Sequence, residues 1–158
     1  MLWRLSITIF AIAVVGLVPR APAADFAEGL RAYDAGDYAT ARDEWMALAL
    51  AGDADAQVAI ADLYRSGLGL QQSDAKAAVW YRRAAESGHV VAQMNLGELY
   101  RHGRGVERDP VLAWFWFSLA ADQGHPWARG QRAQLAAGLS DRDRARGEGL
   151  LADWRGRH

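Results

Sequence analysis

Residues 54–89, ADAQVAIADLYRSGLGLQQSDAKAAVWYRRAAESGH, and residues 90–125, VVAQMNLGELYRHGRGVERDPVLAWFWFSLAADQGH, are one 36-residue unit written twice without a gap. Thirteen positions are identical: Ala56/Ala92, Gln57/Gln93, Leu63/Leu99, Tyr64/Tyr100, Arg65/Arg101, Gly67/Gly103, Gly69/Gly105, Ala77/Ala113, Trp80/Trp116, Ala84/Ala120, Ala85/Ala121, Gly88/Gly124 and His89/His125. Ile60/Leu96, Asp62/Glu98 and Tyr81/Phe117 are near matches. A fixed period of this length, with glycine at the turns and large apolar residues between them, marks an array in which each unit buries its apolar face on its neighbours.

Each unit reads as two helices. In the first helix of the later copy, Ala92, Leu96, Leu99 and Tyr100 share one arc of the helical wheel, and Met94, Asn95, Glu98, Arg101 and His102 occupy the other. The earlier copy points Ala56, Ile60, Leu63 and Tyr64 inward, with Val58, Ala59, Asp62, Arg65 and Ser66 outward. Gly67 to Gly69 and Gly103 to Gly105 supply turns that need positive φ. Ser73, and Asp109 followed by Pro110, then open the second helices as N-caps, and Gly88 and Gly124 close them.

These residues carry a family resemblance. Ala56-Gln57, Leu63-Tyr64, Gly67-Leu68-Gly69, Ala77, Trp80-Tyr81, Ala84-Ala85-Glu86 and Gly88-His89 resemble the Sel1-like repeat, a helical-hairpin relative of the tetratricopeptide repeat. The second copy, through Gly103-Arg104-Gly105-Val106, Trp116-Phe117, Ala120-Ala121 and Gln123-Gly124-His125, matches it better. The resemblance implies an all-α protein, a right-handed α-solenoid. It also implies an adaptor or regulator that holds other proteins, as members involved in envelope signalling or assembly do.

On the amino-terminal side, residues 24–53 form a degenerate hairpin. Phe26, Leu30 and Tyr33 make one apolar stripe, Asp34 to Asp37 break it, and a second helix from about Tyr38 to Ala51 places Ala41, Trp45 and Leu48 together. On the carboxy-terminal side, residues 126–158 restart the unit as a capping hairpin, so that about four hairpins are expected. Ala128 and Leu135 keep the pattern, Gly138 ends the first helix, and Ser140-Asp141-Arg142-Asp143 resembles a capping box opening a last helix. Gly147 and Gly149 should weaken that helix by ~1 kcal/mol each relative to alanine. It therefore needs a docking surface, through Leu150, Leu151 and Trp154. Residues Trp114 to Phe117 are apolar almost all round their helix and are the expected place.

Residues 1–23 read as a secretory signal peptide. Arg4 precedes an apolar run from Leu5 to Val18, and Ala21-Pro22-Ala23 forms a small-residue cleavage site. As a membrane anchor the run is short, about 21 Å of helix against a ~30 Å hydrocarbon core. Cleavage leaves residues 24–158 with no membrane span, and an exported protein, most readily one of the bacterial periplasm, is expected. Without Arg4 and Arg20 the chain has 16 basic and 19 acidic residues, a balance that argues against nucleic acid as a partner. No cysteine is present, which excludes disulfides, thiolate metal sites and a cysteine nucleophile.

Few residues suggest chemistry. Ser73-Asp74-Ala75-Lys76 matches the S-x-x-K motif of penicillin-recognising enzymes, but the accompanying S-x-N and K-T-G elements are missing, and Ser73 aligns with the N-cap Asp109. His89 and His125 recur one unit apart, about 10 Å in a stack, too far to share a metal at ~2 Å bond lengths. Asp141, Asp143 and Glu148 lack the spacing of a calcium loop. Most tryptophans fall at core spacing, with Trp127 the exception.

The expectation is therefore a non-catalytic scaffold, without cofactor or metal and monomeric. It would bind a protein or peptide in a concave groove lined by first-helix residues Asp62, Arg65, Asn95, Glu98, Arg101 and His102, with Trp127 as an exposed contact. The alternative is an envelope hydrolase or a glycan- or cell-wall-binding protein, since some Sel1-like proteins are linked to β-lactam or cell-wall chemistry.

Overall fold

Trp45 of one second helix lies against Gly29 of its first helix, and Phe117 lies against Gly97 in the same way, and this packing fixes how the two helices of a hairpin meet. A computed structural model describes residues 24–158; the expected signal peptide lies outside the described residues. Eight helices follow one another: α1 (Phe26–Asp34), α2 (Tyr38–Leu50), α3 (Ala54–Ser66), α4 (Asp74–Glu86), α5 (Val90–His102), α6 (Pro110–Asp122), α7 (Pro126–Gly138) and α8 (Asp141–Arg157). No strand occurs among the described residues. Each helix from α1 to α6 packs on the next in the chain, which is the all-α solenoid expected from the repeat.

The sequence explains the helix boundaries. Asp25, Asp37, Asp53, Ser73, Asp109 and Ser140 each accept a backbone N–H of the turn they open. His89 does the same for α5 through Nδ1, 3.3 Å from the Ala92 nitrogen. Ser73 is thus an N-cap, accepting from the Lys76 amide at 3.2 Å, while the Lys76 ammonium lies over the Tyr64 ring. Gly105 has φ +68, and a Cβ there would run into the backbone at the start of α4. The turn after α5 is thereby pressed onto the preceding unit.

The core runs the length of the stack. Trp45, Trp80, Trp114 and Trp116 are buried, and Tyr81, Phe117, Ile60, Leu63 and Leu96 are fully enclosed. A Cβ on Gly29 would fall inside the Trp45 indole, and one on Gly97 would lie 3.0 Å from the Phe117 ring. The expected stripe of α1 is corrected accordingly: Gly29 and Ala32 are buried, Phe26 and Tyr33 flank Trp45 at 5.6 Å, and Leu30 stays 47% exposed. Tyr64 and Tyr100, expected inside, are half-buried at the edge, where Arg82 donates to the Tyr100 hydroxyl at 2.5 Å. Gln57 and Gln93 are buried in their place and donate to the carbonyls of Ala49 and Ala85 at 3.1 and 3.3 Å. Each bond ties a first helix to the second helix of the preceding unit.

Helix α8 departs from the regular stack and packs on α6. Trp154 meets Phe115 and Trp116 edge-on at 5.9 and 5.8 Å. Arg146 donates to Asp109 at 2.6 Å and Arg155 to Asp122 at 2.5 Å, so α8 is pinned at both ends of α6. Burial alone would raise the Asp109 carboxyl, but the amides of Leu112 and Val111 together with Arg146 hold it below the usual carboxylate range. Gly147 is not merely a weak point in this helix: a Cβ there would lie 2.8 Å from the Trp114 ring. Its absence lets α8 approach. Around Gly149 nothing lies within 4 Å. In urea unfolding, Gly147→Ala should therefore lower stability by ~1–3 kcal/mol through overpacking, and Gly149→Ala should raise it by ~0.5–1 kcal/mol. Equal effects of the two substitutions would contradict this docking.

Candidate functional site

Two cavities lie along the first helices, and Asp62, which lines the larger, bonds to Tyr81 and Arg65 in the wall of the smaller. On one side Asp62 accepts a hydrogen bond from the buried Tyr81 hydroxyl and pairs with Arg65 at 3.1 Å. Burial first, and then the hydrogen bond to the Asp62 carboxylate, push the Tyr81 phenol above its usual range. Around this group a cavity of about 130 Å³ is lined by Arg65, Tyr81, Asn95, Glu98, Leu99, His102 and Arg104. Glu98 joins His102 at 3.1 Å and Arg101 at 3.5 Å, and Arg104 reaches back to Asp74 at 3.2 Å. These bonds fix the polar walls of the cavity.

On the other side Asp62 borders a larger and more apolar pocket of about 360 Å³. Phe26, Leu30 and Tyr33 of α1, the Trp45 ring, Val58 and Ala59 of α3, and Val91 of α5 form its walls. Its polar groups are Asp55, Asp62 and His89. The His89 Nε2 lies 2.9 Å from Asp55 Oδ1. Because Nδ1 accepts the Ala92 amide, Nε2 carries the proton and donates to the carboxylate.

The structure brings together Asp62, Arg65, Asn95, Glu98 and His102 among the expected contact residues. Two belong elsewhere. Arg101 turns toward α7, where it donates to Gln131 and, at 3.3 Å, to Gln134, so it is tied into packing. Trp127 is 45% exposed, and its ring meets Phe117 edge-on at 5.5 Å, away from the two cavities. Sequence reasoning missed Phe26, Leu30, Tyr33, Asp55, His89 and Val91 as neighbours. The signal was present in Val58 and Ala59, apolar residues on an arc where a solvated helix face carries polar ones.

A larger cleft, about 520 Å³, lies apart at the ends of α4 and α6 against α8. Its Arg155 and Asp122 satisfy each other, and His158 stacks on Trp154 at 4.1 Å, so the cleft follows from α8 docking. Among the described residues no three His, Asp or Glu side chains gather to hold a metal. Nor is any described helix long and apolar enough to cross a membrane.

Comparison with known proteins agrees with the helical-repeat architecture. The family model described as Sel1 repeat matches residues 54–89 and 90–125, the two units of the sequence repeat. A solved structure of a protective antigen present in uropathogenic Escherichia coli strains, displaying an SLR fold, is 29% identical with a TM-score of 0.74, covering 80% of this chain and 28% of that one. A Sel1 repeat protein from Oxalobacter formigenes is 34% identical with a TM-score of 0.66, covering 70% of this chain and 46% of that one. This chain thus spans less than half the length of either. No curated protein matches it.

The Tyr81 arrangement has a consequence in alkali. A phenol held protonated in the folded chain contributes stability that is fully present below the unfolded-state pKa of ~10 and is lost as pH rises above it. Stability measured by urea unfolding should therefore fall from about pH 10 upward, and Tyr81→Phe should flatten that fall. An unchanged pH slope in the variant would remove the Asp62–Tyr81 bond from the account.

Proposed function

We propose, from the premise that this chain carries two tandem Sel1 repeats on an SLR-type solenoid, that it is an interaction scaffold whose first-helix face holds a segment of a protein partner. A Sel1-repeat helical scaffold fits a protein-interaction role, and proteins built of such repeats are generally non-catalytic. The observation that carries the assignment to this face is a pair of cavities joined through Asp62, which lines the apolar one and bonds to Tyr81 and Arg65 in the wall of the polar one. Together they offer side chains of a bound segment one apolar and one polar receptacle along the same row of helices. Regular stacking repeats the first-helix positions at each step, which gives an extended partner matching contacts in register.

The setting we propose is the bacterial periplasm, on the support of the leader-like pattern of residues 1–23. Monomeric binding of one partner is the simplest arrangement for a face of this size.

Capture from a cell-envelope extract tests the reading. Residues 24–158 should recover a specific protein, and the double variant Arg65→Glu, Asn95→Arg should lose it. Arg101 is unsuited to this use because it ties α5 to α7. Recovery of the same protein by both baits would place the contact on another surface. Recovery by neither would remove the scaffold reading.

A further inference from the structure

The 360 Å³ pocket differs from the rest of the face in composition. Leu30 at 47% and Val91 at 44% exposure stand on its rims, on α1 and α5, above a floor that includes the buried Trp45. Its volume is at the low end of ligand sites, enough for one or two side chains rather than a cofactor. Most of its polar capacity is already used. Both His89 nitrogens are engaged, and Asp62 is held by Tyr81 and Arg65. Asp55 differs from Asp62: Arg65 offsets the Asp62 charge, whereas Asp55 meets only His89 through Oδ1 among the described residues, and its side chain is 73% exposed against 45% for Asp62.

Long-range charge points the same way. Residues 24–53 hold seven carboxylates and two arginines, and both arginines are paired with near neighbours, Glu28 and Asp43. Residues 126–158 hold seven arginines against four carboxylates. A cationic partner is therefore drawn to the α1 end of the stack and repelled from the α8 end. The same carboxylates oppose an anionic lipid surface.

We propose that this pocket takes an apolar side chain of a partner protein whose neighbouring lysine or arginine pairs with Asp55, an inference that rests on the scaffold reading above. The apolar residue buries against Phe26, Leu30, Val58 and Val91, and the cation meets the free Asp55 oxygen at the rim. Affinity comes from the first contact and selection against acidic segments from the second.

The test uses residues 24–158 and two synthetic 14-residue helical peptides, one of leucine and lysine and the other with glutamate at every lysine. Calorimetry at about physiological salt measures binding, and the Val58 and Val91 methyl resonances report its place. The lysine peptide should bind and shift both methyls, and the glutamate peptide should not. Asp55→Lys and Leu30→Lys should each weaken binding at least tenfold, and Asp55→Asn should weaken it less. Val79→Lys, at an exposed position on α4, should leave it unchanged. Equal binding of the two peptides, indifference to Asp55→Lys, shifts confined to other residues, or no binding at all would overturn the proposal. So would binding of phosphatidylglycerol vesicles in preference to the lysine peptide. If envelope capture succeeds while the peptide fails, this inference falls alone; if both fail, the scaffold reading falls with it.

Discussion

The stack depends on a size match between two helices of one hairpin. Trp45, Tyr81 and Phe117 occupy the same position in three successive second helices, and all three are buried. Opposite them the first helices carry Gly29, Ala61 and Gly97 in equivalent places, each buried. A large ring against a residue with little or no side chain lets the helix axes approach closely while burying much apolar area. At the two glycine positions a Cβ would meet the Trp45 or the Phe117 ring at 3.0 Å or less. Reversing large and small would leave a void on one side and a collision on the other.

Once the hairpins are set, polar groups fix how one stacks on the next. The glutamine at the same place in α3 and α5 reaches the carbonyl of an alanine in the preceding second helix, and both bonds are buried. Lost buried hydrogen bonds cost more than their net worth when made, so these amides resist any slip between units. The glycine turns contribute from the opposite end of each hairpin, because the turn after α5 rests on the first residues of α4. Junctions held at both ends keep Asp55, Asp62 and His89 in place on the first-helix face.

The two ends of the solenoid solve their exposure differently. At the amino-terminal end α1 leaves Leu30 half in solvent and its pocket open. At the other, α6 is apolar around its whole circumference, and α8 covers it with Leu151 and Trp154 while Arg146 and Arg155 satisfy carboxylates at its ends. The closed end is basic and the open end acidic, and the proposed cationic, apolar partner segment rests on this asymmetry of shape and charge.

Much of this was legible in the chain. The 36-residue period with its glycines determined the hairpins, the cap residues determined where helices begin, and the apolar circumference of Trp114 to Phe117 determined that α8 must dock there. These are local or periodic signals, and a helix obeys them within a few residues of their position. Only the tertiary structure decided that Gly147 is a contact with Trp114, that Arg101 belongs to packing with α7, and that Val58 and Val91 join Phe26 and Leu30 in one pocket. The reason is physical: period and caps are written along one helix, whereas a cavity is what three helices from different units leave unfilled. Its volume depends on interhelical distances that no single segment encodes.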